Sequence, residues 1–260
     1  MIIDAHTHIF PDKIAEKATT AIGAFYDIPM HSTAASDKLL AAEQAAGIDR
    51  MLVCSSATTP AQVESINTFI AAECAKHPEF IGFAAMHPEY ENVGEELDRA
   101  MELGLRGVKF HPDFQRFNID EESFLPMYRE IAKRNLPILF HTGDKRYDFS
   151  SPFRVDNLLK RVPDLKVIGA HFGGYGRWMD VMTLPRRENV WFDTSSTLFE
   201  LPAEEALRLI DHFGVDRFFF GTDFPMWNPN EELKRFYALG LSDGENEKIF
   251  HENFEAMLKA

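Results

Sequence analysis

Residues 1–10 read MIIDAHTHIF: a short β-rich run, Ile2 to Ala5, leads straight into His6-Thr7-His8. An open doubly wound α/β sheet usually places a glycine-rich phosphate loop after its first strand. Two imidazoles stand there instead, and this favours a closed barrel of βα units, in which groups at strand ends converge. The stretch is not expected to be a secretion signal, because no basic segment leads it and Asp4 and His6 interrupt the apolar run.

Outward from this start, apolar runs rich in β-formers recur about every 25–35 residues, separated by amphipathic, Ala- and Leu-rich stretches. The pattern predicts strands over Ile2 to Ala5, Arg50 to Cys54, Phe80 to Ala85, Gly107 to Phe110, Pro137 to Phe140, Lys166 to Ala170, Val190 to Asp193 and Arg217 to Phe220. Helices are predicted over Asp37 to Ala46, Pro60 to Lys76, Val93 to Leu103, Glu121 to Arg134, Pro152 to Arg161, Gly176 to Arg186, Pro202 to Phe213 and Asn230 to Ala238. A last helix spans Asp243 to Lys259. Gly47, Gly104 and Gly214 stand where helices should stop, and Pro60, Pro152 and Pro202 where they should start. About eight βα units in 260 residues close most simply into a single (β/α)8 TIM barrel with a C-terminal extra helix, one domain over residues 1–260. The longest irregular stretches, Phe10 to Ser36 and Phe114 to Asp120, are expected on the rim where barrel enzymes build their sites.

Charge and cysteine content narrow the partners. Lys plus Arg number 27 against 41 Asp plus Glu, a net charge of −14 with no basic run, so a nucleic-acid backbone is repelled. Two cysteines beside ten histidines exclude a disulfide framework and a thiolate zinc knuckle; burial of Cys54 and Cys74 as small apolar residues is expected. No apolar stretch of about twenty residues offers a membrane span. A cytoplasmic protein, possible as a homo-oligomer, is the expectation.

The histidines fall on this map in a pattern. His6 and His8 end strand one, Lys109 and His111 end strand four, His141 ends strand five, His171 ends strand six and Asp223 follows strand eight. The period of two turns His6 and His8 to one side of their strand, where two imidazoles can chelate one ion. A nitrogen from His141 and an oxygen from Asp223 complete a site suited to Zn, with Mn, Fe, Co or Ni also compatible. His31, His77, His212 and His251 lie in a loop or in helical stretches and read as structural. His87 reads equally as a rim contact or a loop residue.

These residues sit in DAHTHIF at 4–10, GVKFHPDFQ at 107–115, PILFHTG at 137–143, VIGAHFGG at 167–174 and FGTDFP at 220–225. In this order they resemble the amidohydrolase superfamily, specifically the amidohydrolase-related group of TIM-barrel metal-dependent hydrolases, which also contains the aminocarboxymuconate semialdehyde decarboxylases. The resemblance implies that His6, His8, His141 and Asp223 bind one catalytic divalent metal, usually zinc, and that His171 contacts the water or substrate. In dinuclear members a carboxylated lysine bridges two metals, and Lys109 occupies a comparable place. The group resembled here implies one metal, with Lys109 cationic and holding a substrate carboxylate.

The expected chemistry is hydrolysis of a C–O or C–N bond, in a lactone or amide of a small carboxylated substrate, by metal-activated water. Asp223 is the expected acid-base group and His171 the holder of water or oxyanion. Lys109, His111, Arg116 and Trp227 are expected to bind the anionic substrate, with Arg146 a further candidate cation. The alternative on the same ligands is non-oxidative decarboxylation of an aromatic or unsaturated carboxylic acid. The family's decarboxylases tend to be longer, which favours hydrolysis. A metal-dependent deoxyribonuclease is disfavoured by Lys109 in place of a strand-four glutamate and by the acidic net charge. A vestigial scaffold is disfavoured by the full ligand set.

Overall fold

A computed structural model describes residues 1–260. Its first half runs β1 (Ile3–His8), α1 (Asp12–Tyr26), α2 (Ser36–Ala46), β2 (Arg50–Cys54), α3 (Val63–Lys76), β3 (Phe80–Gly82), β4 (Ala84–Ala85), α4 (Val93–Glu102), β5 (Val108–Phe110) and α5 (Pro112–Gln115). There follow α6 (Leu125–Lys133), β6 (Ile138–Phe140), α7 (Pro152–Arg161), β7 (Val167–Gly169), α8 (Trp178–Val181), β8 (Val190–Asp193), α9 (Ala203–Phe213), β9 (Phe218–Phe219), α10 (Pro229–Tyr237), α11 (Asp243–Glu247) and α12 (Asn253–Lys259). A π turn at Lys248–Glu252 joins the last two helices. The strands pair parallel, as alternation with helices requires. No helix is long and apolar enough to cross a membrane, and neither cysteine is disulfide-bonded, Cys54 being buried and Cys74 half-buried.

The chain divides into two compact units. One comprises Met1–Cys54, Glu73–Ile81 and Asp193–Ala260, the other Ser55–Ala72 and Gly82–Phe192. In the first, β1 lies beside β2, with Ile3 opposite Arg50 and His8 opposite Cys54. Its other edge meets the segment after β9: Ala5 N–H donates to Phe220 O, and His8 N–H to Phe224 O. Consecutive phenylalanines anchor the C-terminal helices, Phe219 edge-on to Phe254 at 5.3 Å and Phe220 edge-on to Phe236 at 5.7 Å. At the π turn the Ile249 carbonyl accepts from Phe220 N–H, so the closing helix is hydrogen-bonded to the strand segment as well as packed on it.

In the second unit β4, β5, β6, β7 and β8 lie side by side in chain order. Their short runs are almost wholly buried, which is why apolar residues dominate them without alternation, buried Lys109 of β5 and Asp193 of β8 standing apart. Phe110 stacks on Phe140 at 5.5 Å, and Tyr128 of α6 covers both edge-on.

Two expectations about irregular chain require correction. Phe10 to Ser36 contains the fifteen-residue α1. Its buried positions are Ala15, Thr19 and Gly23, a four-residue repeat of small side chains. The helical period is present, but the fully buried positions are small side chains and not large apolar ones. Phe114 to Asp120 likewise includes the end of α5. Conversely, Gly176 to Arg186 condenses to α8 alone. There Gly176 has a left-handed backbone, and Pro185 lacks the N–H a longer helix needs.

Candidate metal centre

In the first unit, β1 and the segment after β9 bring three donors together. His6 Nε2 and His8 Nε2 are 3.2 Å apart, His8 Nε2 is 3.2 Å from Asp223 Oδ1, and His6 Nε2 is 3.8 Å from the same oxygen. Donors bound to one ion at 2.0–2.2 Å stand about 3.0–3.4 Å from one another. The triangle therefore has the size of a chelating face, and the residues fit a divalent ion. His6 and Asp223 are buried and His8 nearly so.

Each corner is held from behind. Asp193, at the end of β8, accepts from His6 Nδ1 at 2.9 Å through Oδ2. Its Oδ1 accepts the Ser195 hydroxyl at 2.5 Å and the Ser195 N–H at 3.1 Å. A carboxylate on Nδ1 fixes the tautomer that leaves the Nε2 lone pair facing the triangle. Asp223 Oδ2 accepts the Ser196 hydroxyl at 2.5 Å, and Trp227 Nε1–H donates to that same hydroxyl oxygen at 2.8 Å. Asp223 and Ser196 both have left-handed backbones, at φ 60° and 45°, a conformation costly outside glycine and tolerated best by Asp and Asn. Across β1, Cys54 Sγ lies 3.5 Å from His8 Nδ1.

Asp4 ties the two ligand-bearing segments to each other. Its Oδ1 accepts the N–H groups of His6 and Thr222, and its Oδ2 accepts the Thr222 hydroxyl at 2.5 Å. Burial pushes its carboxyl upward, and likewise that of the neighbouring Glu43, where the facing Asp4 charge adds to the effect of burial.

The second unit assembles different imidazoles. His141 Nδ1 lies 3.0 Å from His171 Nε2, and His141 Nε2 lies 3.0 Å from the Gly143 carbonyl. With its Nε2–H donated to that carbonyl, His141 keeps its lone pair on Nδ1. Gly143 is required here: its backbone is left-handed at φ 79°, and an added Cβ would stand 2.4 Å from Tyr175 N. His171 is fixed through its backbone, whose carbonyl accepts from Trp178 Nε1 at 3.0 Å. His111 caps α5, its Nδ1 accepting from Phe114 N–H at 3.3 Å, and its ring stacks on His141 at 4.1 Å. Asp113 lies 3.6 Å from His141 Nε2 and accepts the Ser150 hydroxyl at 2.5 Å. Burial raises its carboxyl to about 7.

The other expected residues are placed as follows. Lys109 is fully buried in β5. Arg116 is exposed, with a left-handed backbone at the end of α5. Trp227 donates its indole N–H to Ser196 and stacks on Phe199 at 4.6 Å. Arg146 is paired with Asp144. His87 is buried, which lowers its pKa, and its Nδ1 accepts from Glu89 N–H. Sequence reasoning missed Asp193 and the two serines after it. The signal was available: Asp193 is a carboxylate at a strand's carboxyl end, the criterion that singled out the histidines.

Comparison with known proteins bears on fold and reaction. The family model described as Amidohydrolase matches residues 3–259. The gamma-resorcylate decarboxylase of Rhodococcus jostii (strain RHA1) is 25% identical over 248 residues, covering 74% of this chain and 75% of its own. Among solved structures, an uncharacterised TIM-barrel protein from Bordetella bronchiseptica superposes with a TM-score of 0.79 at 20% identity, over 99% of this chain and 98% of that one. A dihydroxybenzoic acid decarboxylase from Polaromonas sp. JS666, with bound manganese and the inhibitor 2-nitroresorcinol, gives 0.78 at 18% identity, over 99% and 96%. The chain has the parallel α/β fold of these TIM-barrel structures, as its strand and helix rhythm predicts.

The reaction expected from sequence is corrected by the same findings. The Rhodococcus relative is a decarboxylase, which overturns hydrolysis of a lactone or amide. The ligand types suit both reactions, so they gave no ground for choosing.

Proposed function

The chain belongs to the amidohydrolase family, and from that premise we propose that this enzyme is a metal-dependent, non-oxidative decarboxylase of a small hydroxylated aromatic carboxylate. The observation that carries the proposal is the triangle of His6 Nε2, His8 Nε2 and Asp223 Oδ1, with edges of 3.2 to 3.8 Å. The reaction class is supported by the Rhodococcus relative at 25% identity. In the reaction the carbon–carbon bond to the carboxylate breaks, carbon dioxide leaves with the oxygens it already carries, and the ring carbon takes up one proton.

His6, His8 and Asp223 hold one divalent ion. Its identity is open to Mn as well as to the expected Zn, since a mixed imidazole and carboxylate set separates them weakly. When bound, the ion supplies positive charge that polarises substrate oxygens. Asp223 holds and delivers the proton at its carboxylate, and the Ser196 hydroxyl on Oδ2 fixes which oxygen faces the reacting molecule. Asp193 keeps His6 oriented. His141 as a further ligand, His171 as a substrate contact, and Lys109, His111, Arg116 and Trp227 as substrate-binding residues belong to the same proposal. They rest on the family resemblance and on residue chemistry. In a protein of net charge −14, cations such as Lys109 are the groups suited to draw in a carboxylate.

The test is a substrate panel. Metal-loaded protein is incubated with hydroxybenzoates, including 2,6-dihydroxybenzoate, and with carboxylated lactones, while carbon dioxide and acid release are followed. Carbon dioxide from one or more hydroxybenzoates is expected; turnover of lactones alone would refute the assignment.

A further inference from the structure

His6 and His8 present the same atom to the triangle, yet different groups stand behind them. For His6 it is the Asp193 carboxylate, 2.9 Å from Nδ1. For His8 it is the thiol of Cys54, its register partner across the β1–β2 pair, fully buried and 3.5 Å from Nδ1. We infer that Cys54 is a positioning residue of the metal centre, holding the His8 imidazole in the tautomer and orientation that keep Nε2 available to an ion. The inference rests on the metal-binding reading above.

The direction of the hydrogen bonds carries it. Cys54 Sγ lies 3.3 Å from the Thr7 carbonyl, which can only accept, so the thiol hydrogen is spent there. The sulfur then meets His8 Nδ1 with lone pairs, and Nδ1 must be the donor. With its proton on Nδ1, His8 has a bare Nε2, the atom 3.2 Å from Asp223 Oδ1. A thiol turned the other way would donate to Nδ1, and the imidazole proton would sit on Nε2, where it blocks coordination. The Thr7 carbonyl competes for the thiol hydrogen and so favours the first arrangement, and it belongs to the residue next to the ligand it helps to set. The sulfur is a weaker acceptor than the carboxylate on Nδ1 of His6.

The experiment compares wild type, Cys54→Ala and Cys54→Ser. Metal-free proteins are titrated with Co2+ and Zn2+ against a chromophoric chelator, the Co2+ visible spectrum is recorded, and folding is checked by circular dichroism. Alanine removes the acceptor and should weaken metal binding about 10-fold or more, as loss of a ligand's supporting partner does, and alter the Co2+ spectrum. Serine, which can donate to Thr7 O and accept from Nδ1, should recover most of the affinity. A folded alanine variant that binds within twofold of wild type with an unchanged spectrum would overturn the inference. Long-range 1H–15N NMR of the metal-free wild type decides independently, and without any variant. A proton on His8 Nδ1 at neutral pH supports the role of Cys54, and the Nε2–H tautomer refutes it. Should the wild type bind no metal at all, the metal-binding reading falls while the NMR result still decides how Cys54 acts on His8.

Discussion

The triangle on β1 and the imidazole row of the second unit are both built from histidines at strand ends, yet they satisfy their rings in opposite ways. In the triangle, His6 and Asp223 are held by partners on the atoms facing away, leaving Nε2 and Oδ1 turned toward one another at 3.8 Å. In the row, rings bond or stack with each other: His171 on His141 at 3.0 Å, His111 over His141 at 4.1 Å. Electron-rich atoms aimed at a common point repel unless a metal ion or a proton lies between them. Rings that donate and stack are stable as they are. The difference teaches that the triangle is a chelating face as it stands, whereas His141 would join it as a further ligand only once its Nδ1 turns from His171.

The comparison is broken most severely at its ligands. His6→Ala should lose far more metal affinity than the ~10–100-fold expected for a supporting residue, and decarboxylation with it, by equilibrium dialysis and carbon dioxide release. Asp223→Asn should lower kcat by roughly 10²–10⁴-fold while retaining part of the metal, which separates the proton role from the ligand role. If it turns over at the wild-type rate, Asp223 does not move the proton. Next comes Asp193→Asn, expected to cost about 10–100-fold in metal affinity with the fold intact.

On the side of the row the expected effects concern stability. Asp113 is raised by burial to about 7, above the unfolded range near 4, so the folded state holds its proton more tightly. Its contribution is full below about pH 4 and is lost as the pH rises toward 7. Asp113→Asn removes that dependence, and urea unfolding should show the variant gaining on wild type between pH 5 and 8 by on the order of 2 kcal/mol. The smallest effect belongs to His111→Phe, which keeps a ring to stack on His141 but loses the cap on Phe114 N–H. About 1 kcal/mol of stability is expected to go, with metal affinity unchanged.

Strand positions were legible in the sequence because the short strands are buried and mostly apolar; Arg50–Cys54 and Val190–Asp193 match residue for residue. The helix α1 was not, because its fully buried positions, Ala15, Thr19 and Gly23, are small side chains and not large apolar ones. His6, His8 and Asp223 were legible by chemistry and position. Their supports were less so: Cys54 reaches His8 through strand register, and Ser196 reaches Asp223 through two left-handed residues far apart in the chain. The reaction was the least legible part, since hydrolysis and decarboxylation draw on the same ligand types.

The most direct test of the central claim is carbon dioxide release from 2,6-dihydroxybenzoate by chelator-treated protein, followed as Mn2+ or Zn2+ is returned in substoichiometric steps. Activity absent from the stripped protein and rising to a plateau at one ion per chain is the expected result. Undiminished release from the stripped protein, or a plateau unchanged in His6→Ala, would contradict the assignment of the triangle as the metal centre.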